Sequence, residues 1–196
     1  MTRSTLVSIG LRAKTGRAIA VVLGGPPESP IVLLKTEIKL VDPKVPATRQ
    51  PYHVVMELPG PQWPRAVSKT AKAIERVTAK ALDSLIRELQ AQGHKPIGVG
   101  VVGAPDRDLA RIGNPHIRAH AAEGVLFRQV LELGAAANGL KCKSFSDRDF
   151  DIVAAKLNKN YSKVRKSLDN LRQSVSPPWR TDEKQAAMAA WIVLHG

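Results

Sequence analysis

The sequence predicts an α/β fold in which three antiparallel strands are followed by helices alternating with buried strands. Three observations carry this. Segments 6–11 and 18–23 are Val- and Ile-rich, of strand length, and joined by Lys14-Thr15-Gly16-Arg17, whose glycine can take φ > 0 where the chain reverses. In 67–89, Val67, Thr70, Ala71, Ile74, Val77, Thr78, Ala81, Leu85 and Leu89 recur at helical spacing. Segment 96–102, PIGVGVV, is an almost unbroken apolar run, the pattern of a central parallel strand covered on both faces.

The remaining elements follow in chain order. After the turn Gly24-Gly25-Pro26-Pro27, segment 31–41 mixes an apolar run with alternation, as a strand at a sheet edge does. Six prolines between 43 and 64 exclude a regular helix or central strand there, so this stretch reads as an ordered excursion over the surface, in which 52–58 alone has room for a short element. Gly93 ends the first helix. Segment 119–137 reads as a second helix closed by Asn138-Gly139, and 140–145 as the next strand. In 156–172, Leu157, Tyr161, Val164, Leu168 and Leu171 follow spacings of 4, 3, 4 and 3, which predicts one amphipathic helix. Past Pro177-Pro178-Trp179, Thr181 offers an N-cap for a closing helix whose segment 186–194 is apolar enough for the core.

Composition bounds the function. The 196 residues and 43% apolar content suit a single domain spanning 1–196. One cysteine, Cys142, excludes an internal disulfide framework and a multi-cysteine zinc site, and with no signal-like N-terminus or membrane-length apolar run the expectation is a soluble, cytoplasmic protein with no membrane partner. The net charge of +13 favours polyanions, and it is uneven: residues 1–50 carry 8 Lys and Arg against 3 acids, 101–140 carry 4 against 4, and 141–196 carry 11 against 6. On the helix at 156–172 a basic face is formed by Lys156, Lys159, Lys163 and Lys166, a stripe able to track a phosphate backbone; Arg12, Lys14 and Arg148 are further candidates for nucleic-acid contact.

Catalytic signals are sparse. Asp106 and Asp108 follow the strand at 96–102, at the carboxyl end where open α/β sheets place sites. Asp182 and Glu183 begin the last helix, where the macrodipole favours acids irrespective of function; Asp182 is also the candidate ligand for a divalent metal. His116, His120 and Glu123 share one helix face, but Pro115 and Arg118 favour capping or packing over metal binding. Ser8, Ser144 and Ser146 lack a nucleophile elbow, and no phosphate-binding loop is present.

Four stretches carry a family resemblance: SIGLRAKTGRAIAVV (8–22), PIGVGVV (96–102), LKCKSFSDRDF (140–150), and SKVRKSLDNL (162–171) with the closing DEKQAAMAAWIVLH (182–195). In this order they resemble the RNase H-like superfamily, most of all the RuvC-type Holliday-junction resolvases. The resemblance implies an RNase H-like mixed five-stranded sheet with helices on both faces, in which the first strand pairs with the strand at 97–102, and it implies structured DNA or RNA as partner, with a homodimer left open. It also implies two metal ions, Mg²⁺ or Mn²⁺, held by acids on the first strand, on the strand after the first helix, and in a pair on the last helix. Here those positions fall on Ser8 or Ile9, on Gly100 or a neighbouring valine, and on Asp182 and Gln185. The expectation is therefore a nucleic-acid-binding protein lacking the usual two-metal nuclease site. The alternatives are an active endonuclease with a displaced site drawn from Asp182, Glu183, Asp106 and Asp108, and an interaction module with no nucleic-acid role.

Overall fold

A computed structural model of the chain describes residues 5–157, 161–173 and 175–196. Strands β1 (Thr5–Lys14), β2 (Arg17–Gly24), β3 (Ile31–Lys39), β4 (His94–Gly103) and β5 (Lys141–Ser146) form one mixed sheet in the order β3-β2-β1-β4-β5. β2 runs antiparallel to β1 and to β3, whereas β4 is parallel to β1 and β5 is parallel to β4. The opening hairpin closes where Lys14 pairs with Arg17, and Gly16 takes φ 76° in the turn, a conformation that a β-carbon would strain.

The period of two along the strands divides their side chains between two cores. On one face, Val7, Ile9 and Leu11 of β1 and Val99 and Val101 of β4 pack against Ile74 and Leu82 of α1 (Trp63–Ala91) and against Phe127 and Leu131 of α2 (Pro115–Ala137). On the other, Val21, Leu23 and Val102 pack with the alanine-rich surface of α5 (Thr181–His195), outside which lie α3 (Phe150–Leu157) and α4 (Tyr161–Asn170). Phe127, Ile9, Leu11 and Leu131 are fully buried, each stabilising the fold by about 1.5–3 kcal/mol relative to exposure.

The structure departs from the sequence expectation in three places. The first two helices begin earlier, at Trp63 and Pro115, because Pro64 and Pro115 fit a first helical turn, where the missing N–H has no partner to lose. The single helix expected over 156–172 is two helices, α3 and α4, so the lysine stripe is divided: Lys156 lies on α3, Lys163 and Lys166 lie on α4, and Lys159 falls outside the described residues. The proline-rich excursion holds short 3-10 turns not only at His53–Val55, within 52–58, but also at Pro46–Thr48 and Gly60–Gln62, pinned by the buried Thr48 hydroxyl donating to Val45 O at 2.6 Å and by Trp63 Nε1 donating to Leu58 O at 3.0 Å. Among the described residues no helix is long and apolar enough to cross a membrane.

Candidate functional site

Ser8, Gly10 and Arg12 alternate onto the face of β1 that α5 covers. Ser8 is fully buried and its hydroxyl donates to Ala190 O at 2.5 Å. Gly10 pairs with Gly100 across β1 and β4, and there the backbone of α5 comes down onto the sheet. A β-carbon on Gly100 would stand 2.6 Å from Ala189 O, and one on Gly10 would overlap the carbonyl of Ala186. Ala186, Ala187, Ala189 and Ala190 are all fully buried in this close approach. The space between central strands and closing helix is therefore filled by main chain and methyl groups.

Arg12 ends that row at the carboxyl end of β1 and reaches the first turn of α5. Its Nη2 donates to Asp147 Oδ2 at 3.0 Å, and its Nε lies 3.3 Å from Asp182 Oδ1, an ion pair without the alignment of a hydrogen bond. Lys14 closes on the same Asp182 carboxylate at 3.0 Å. Glu183 is buried and turned back on its own helix, where its carboxylate accepts from the N–H of Arg180 at 2.8 Å. Asp106 pairs with Arg128, which is also held by Glu132, and Asp108 accepts from the N–H of Ala110 at 3.1 Å and pairs with Arg111 at 3.2 Å. The displaced acid site expected from Asp182, Glu183, Asp106 and Asp108 is thus not assembled, because each carboxylate is turned to a cation or backbone donor of its own neighbourhood.

The basic candidates divide in the same way. Arg12 and Lys14 are taken up in these ion pairs. Lys156, Lys163, Lys166 and Arg148 are exposed, and among the described residues none has an acid within ion-pair distance.

A second constellation lies where the proline-rich excursion meets α2. His116 and His120 stand one turn apart on α2, their Nε2 atoms 3.1 Å from each other. His53, from the turn at His53–Val55, packs its ring edge-on against both, with centroids at 4.9 and 4.5 Å. Glu123 is fully buried beneath His53: its Oε1 accepts from His53 Nδ1 at 2.8 Å and from the N–H groups of Tyr52 and His53 at 3.2 and 3.3 Å. Burial, and after it the charge of Glu123, pushes the Tyr52 phenol above its ordinary range. The histidines pack against one another, but the helix is capped by Asn114, which accepts from Ile117 N at 3.1 Å, while Arg118 donates to Ile112 O at 2.8 Å and lies over the Trp63 ring. Sequence reading missed His53. Its one signal is position: a lone histidine in an ordered loop of the kind that covers sites.

No family model and no curated protein matches the chain. Among solved structures, it resembles Thermus thermophilus RuvC at a TM-score of 0.51 and 11% identity, over 95% of this chain and 91% of that one. A second structure, T. thermophilus RuvC in complex with Holliday junction substrate, matches at 0.49 with the same identity and coverage. The fold is RNase H-like.

The RNase H-like frame makes β1 the central strand and α5 the closing helix; these two and β4 are the elements on which the resemblance places the acids of a two-metal centre. The residues present do not fit that centre: Ser8 is bonded to Ala190, Gly100 abuts the main chain of α5, and Asp182 is neutralised by Arg12 and Lys14. A pair of hard divalent cations needs several carboxylates free to converge. Here the positive charge beside Asp182 and Asp147 is supplied by the chain itself.

Proposed function

We propose that this chain is a nucleic-acid-binding protein on an RNase H-like fold, acting through phosphate contacts without a resolvase-type two-metal centre. The observation that carries the reading is the contrast between its two sets of cations. Arg12 and Lys14 occupy the carboxyl end of β1 and are neutralised by Asp147 and Asp182, whereas Lys156, Lys163, Lys166 and Arg148 are exposed and have no acid partner among the described residues. Unpaired lysines release counterions when they meet phosphates, and the surplus of +13 supplies long-range attraction to any polyanion. Readout of this kind follows backbone charge and shape, so structured DNA or RNA of any sequence is the partner class.

The test is fluorescence anisotropy with branched, duplex and single-stranded probes at several salt concentrations. Affinity falls steeply with salt, and changing Lys156, Lys163 and Lys166 together to Gln weakens binding to every probe and flattens the salt slope by roughly one per lost contact. A triple variant that binds like the parent at every salt concentration contradicts the reading.

A further inference from the structure

We propose that His53, His116 and His120 bind one divalent cation of the zinc class, with Glu123 as the residue that positions His53. The site is separate from the carboxyl end of β1 and stands or falls independently of nucleic-acid binding.

The geometry comes first. One imidazole nitrogen from each histidine lies within 4.8 Å of the other two. Nitrogens coordinated to one tetrahedral ion at 2.0–2.1 Å are about 3.4 Å apart, so small side-chain rotations close the cluster. The 3.1 Å between the Nε2 atoms of His116 and His120 is already near that spacing.

The second argument is polar satisfaction. His53 Nε2 is buried and has no hydrogen-bond partner among the described residues. Because a carboxylate accepts and does not donate, the contact between Glu123 and His53 Nδ1 places the ring proton on Nδ1 and leaves the Nε2 lone pair unused. A buried nitrogen in that condition costs free energy unless something takes its lone pair. A cation shared with His116 and His120 does so. The carboxylate–histidine pair is also the arrangement by which proteins fix the tautomer and aim of a metal-binding imidazole. Glu123 is in turn held by two backbone N–H groups, so the support behind His53 is built before any ion arrives.

The donor set selects the ion. Three neutral imidazoles suit Zn²⁺, Cu²⁺ or Ni²⁺, whereas Mg²⁺ and Ca²⁺ require oxygen ligands. His116 and His120 are exposed, so a fourth position opens toward solvent, where water completes the tetrahedron. Since His53 comes from the proline-rich excursion and the other two from α2, the ion also ties that excursion to the helix.

The test uses the 196-residue chain free of any histidine tag. Zinc is titrated against a chromophoric chelator, and Co²⁺ is followed by its visible absorption. Wild type takes up one equivalent of Zn²⁺ and gives the intense bands of four-coordinate cobalt. His116→Ala combined with His120→Ala, both exposed positions, weakens zinc at least a hundredfold while leaving the melting temperature of the metal-free protein within a few degrees. Glu123→Gln weakens zinc by 10- to 100-fold and shifts the cobalt bands, an effect that loss of packing alone does not produce. X-ray absorption on zinc-loaded wild type needs no variant and shows three imidazole nitrogens at 2.0–2.1 Å. Equal zinc affinity of wild type and the double variant, or an absorption shell with fewer than three imidazoles, overturns the proposal.

Discussion

The Nε of Arg12 lies 3.3 Å from Oδ1 of Asp182, so a guanidinium from the central strand meets the first turn of the closing helix. The same guanidinium reaches Asp147 beyond β5 and is only 12% exposed. Changing Arg12 to Gln takes from Asp147 its cation and leaves Asp182 to Lys14 alone, and is expected to destabilise the fold by about 1–3 kcal/mol in urea unfolding. Asp182→Asn, at a site 34% exposed, costs no more than about 1 kcal/mol. Because Arg12 and Lys14 already neutralise Asp147 and Asp182, Mg²⁺ is expected to leave the melting temperature of the wild type unchanged.

Close approach of α5 gives a second expectation. Gly10→Ala drives a methyl group into the Ala186 carbonyl, and Gly100→Ala sets one 2.6 Å from Ala189 O, both against main chain that cannot rotate away. Each is expected to destabilise by about 1–3 kcal/mol or more, read by chemical denaturation, with Gly10→Ala the larger. A neutral outcome at Gly10 would show that α5 does not seal the sheet.

Much of this architecture is written in local pattern. The hairpin follows from two β-rich segments around Gly16, and the run at 96–102 announces a strand buried on both faces because Val99 and Val101 meet one core while Gly98 and Gly100 meet the other. The division of 156–172 was not legible, since Leu157, on α3, keeps helical spacing with Tyr161, Val164 and Leu168, on α4. The histidine cluster was half legible. His116, His120 and Glu123 are one and two turns apart, but His53 arrives from a proline-rich segment with no periodicity, and only tertiary packing brings it over Glu123. That Asp182 is neutralised was not legible either, because the partner, Arg12, belongs to a strand whose neighbour in space is the far end of the chain.

Cys142 provides a pH-dependent check on the β5 side of the sheet. Burial, followed by the nearby Glu132 carboxylate, pushes its thiol from 9.0 to about 11. Alkylation by iodoacetamide at pH 8 is therefore expected to run about a hundredfold slower than for a free cysteine, with no plateau by pH 9.5. The sign for stability follows: between pH 9 and 11 the unfolded chain has lost a proton that the folded chain keeps, so this group makes stability fall as pH rises through that window.

We propose phosphate binding on an RNase H-like fold in which Arg12 and Lys14 neutralise Asp182 at the start of the closing helix. It is tested most directly by incubating branched, duplex and single-stranded substrates with Mn²⁺ and either wild type or Asp182→Asn, while measuring binding in the same samples. The account predicts salt-sensitive binding by both proteins to the same extent and no cleavage that depends on Asp182. Cleavage by the wild type that Asp182→Asn abolishes would contradict it.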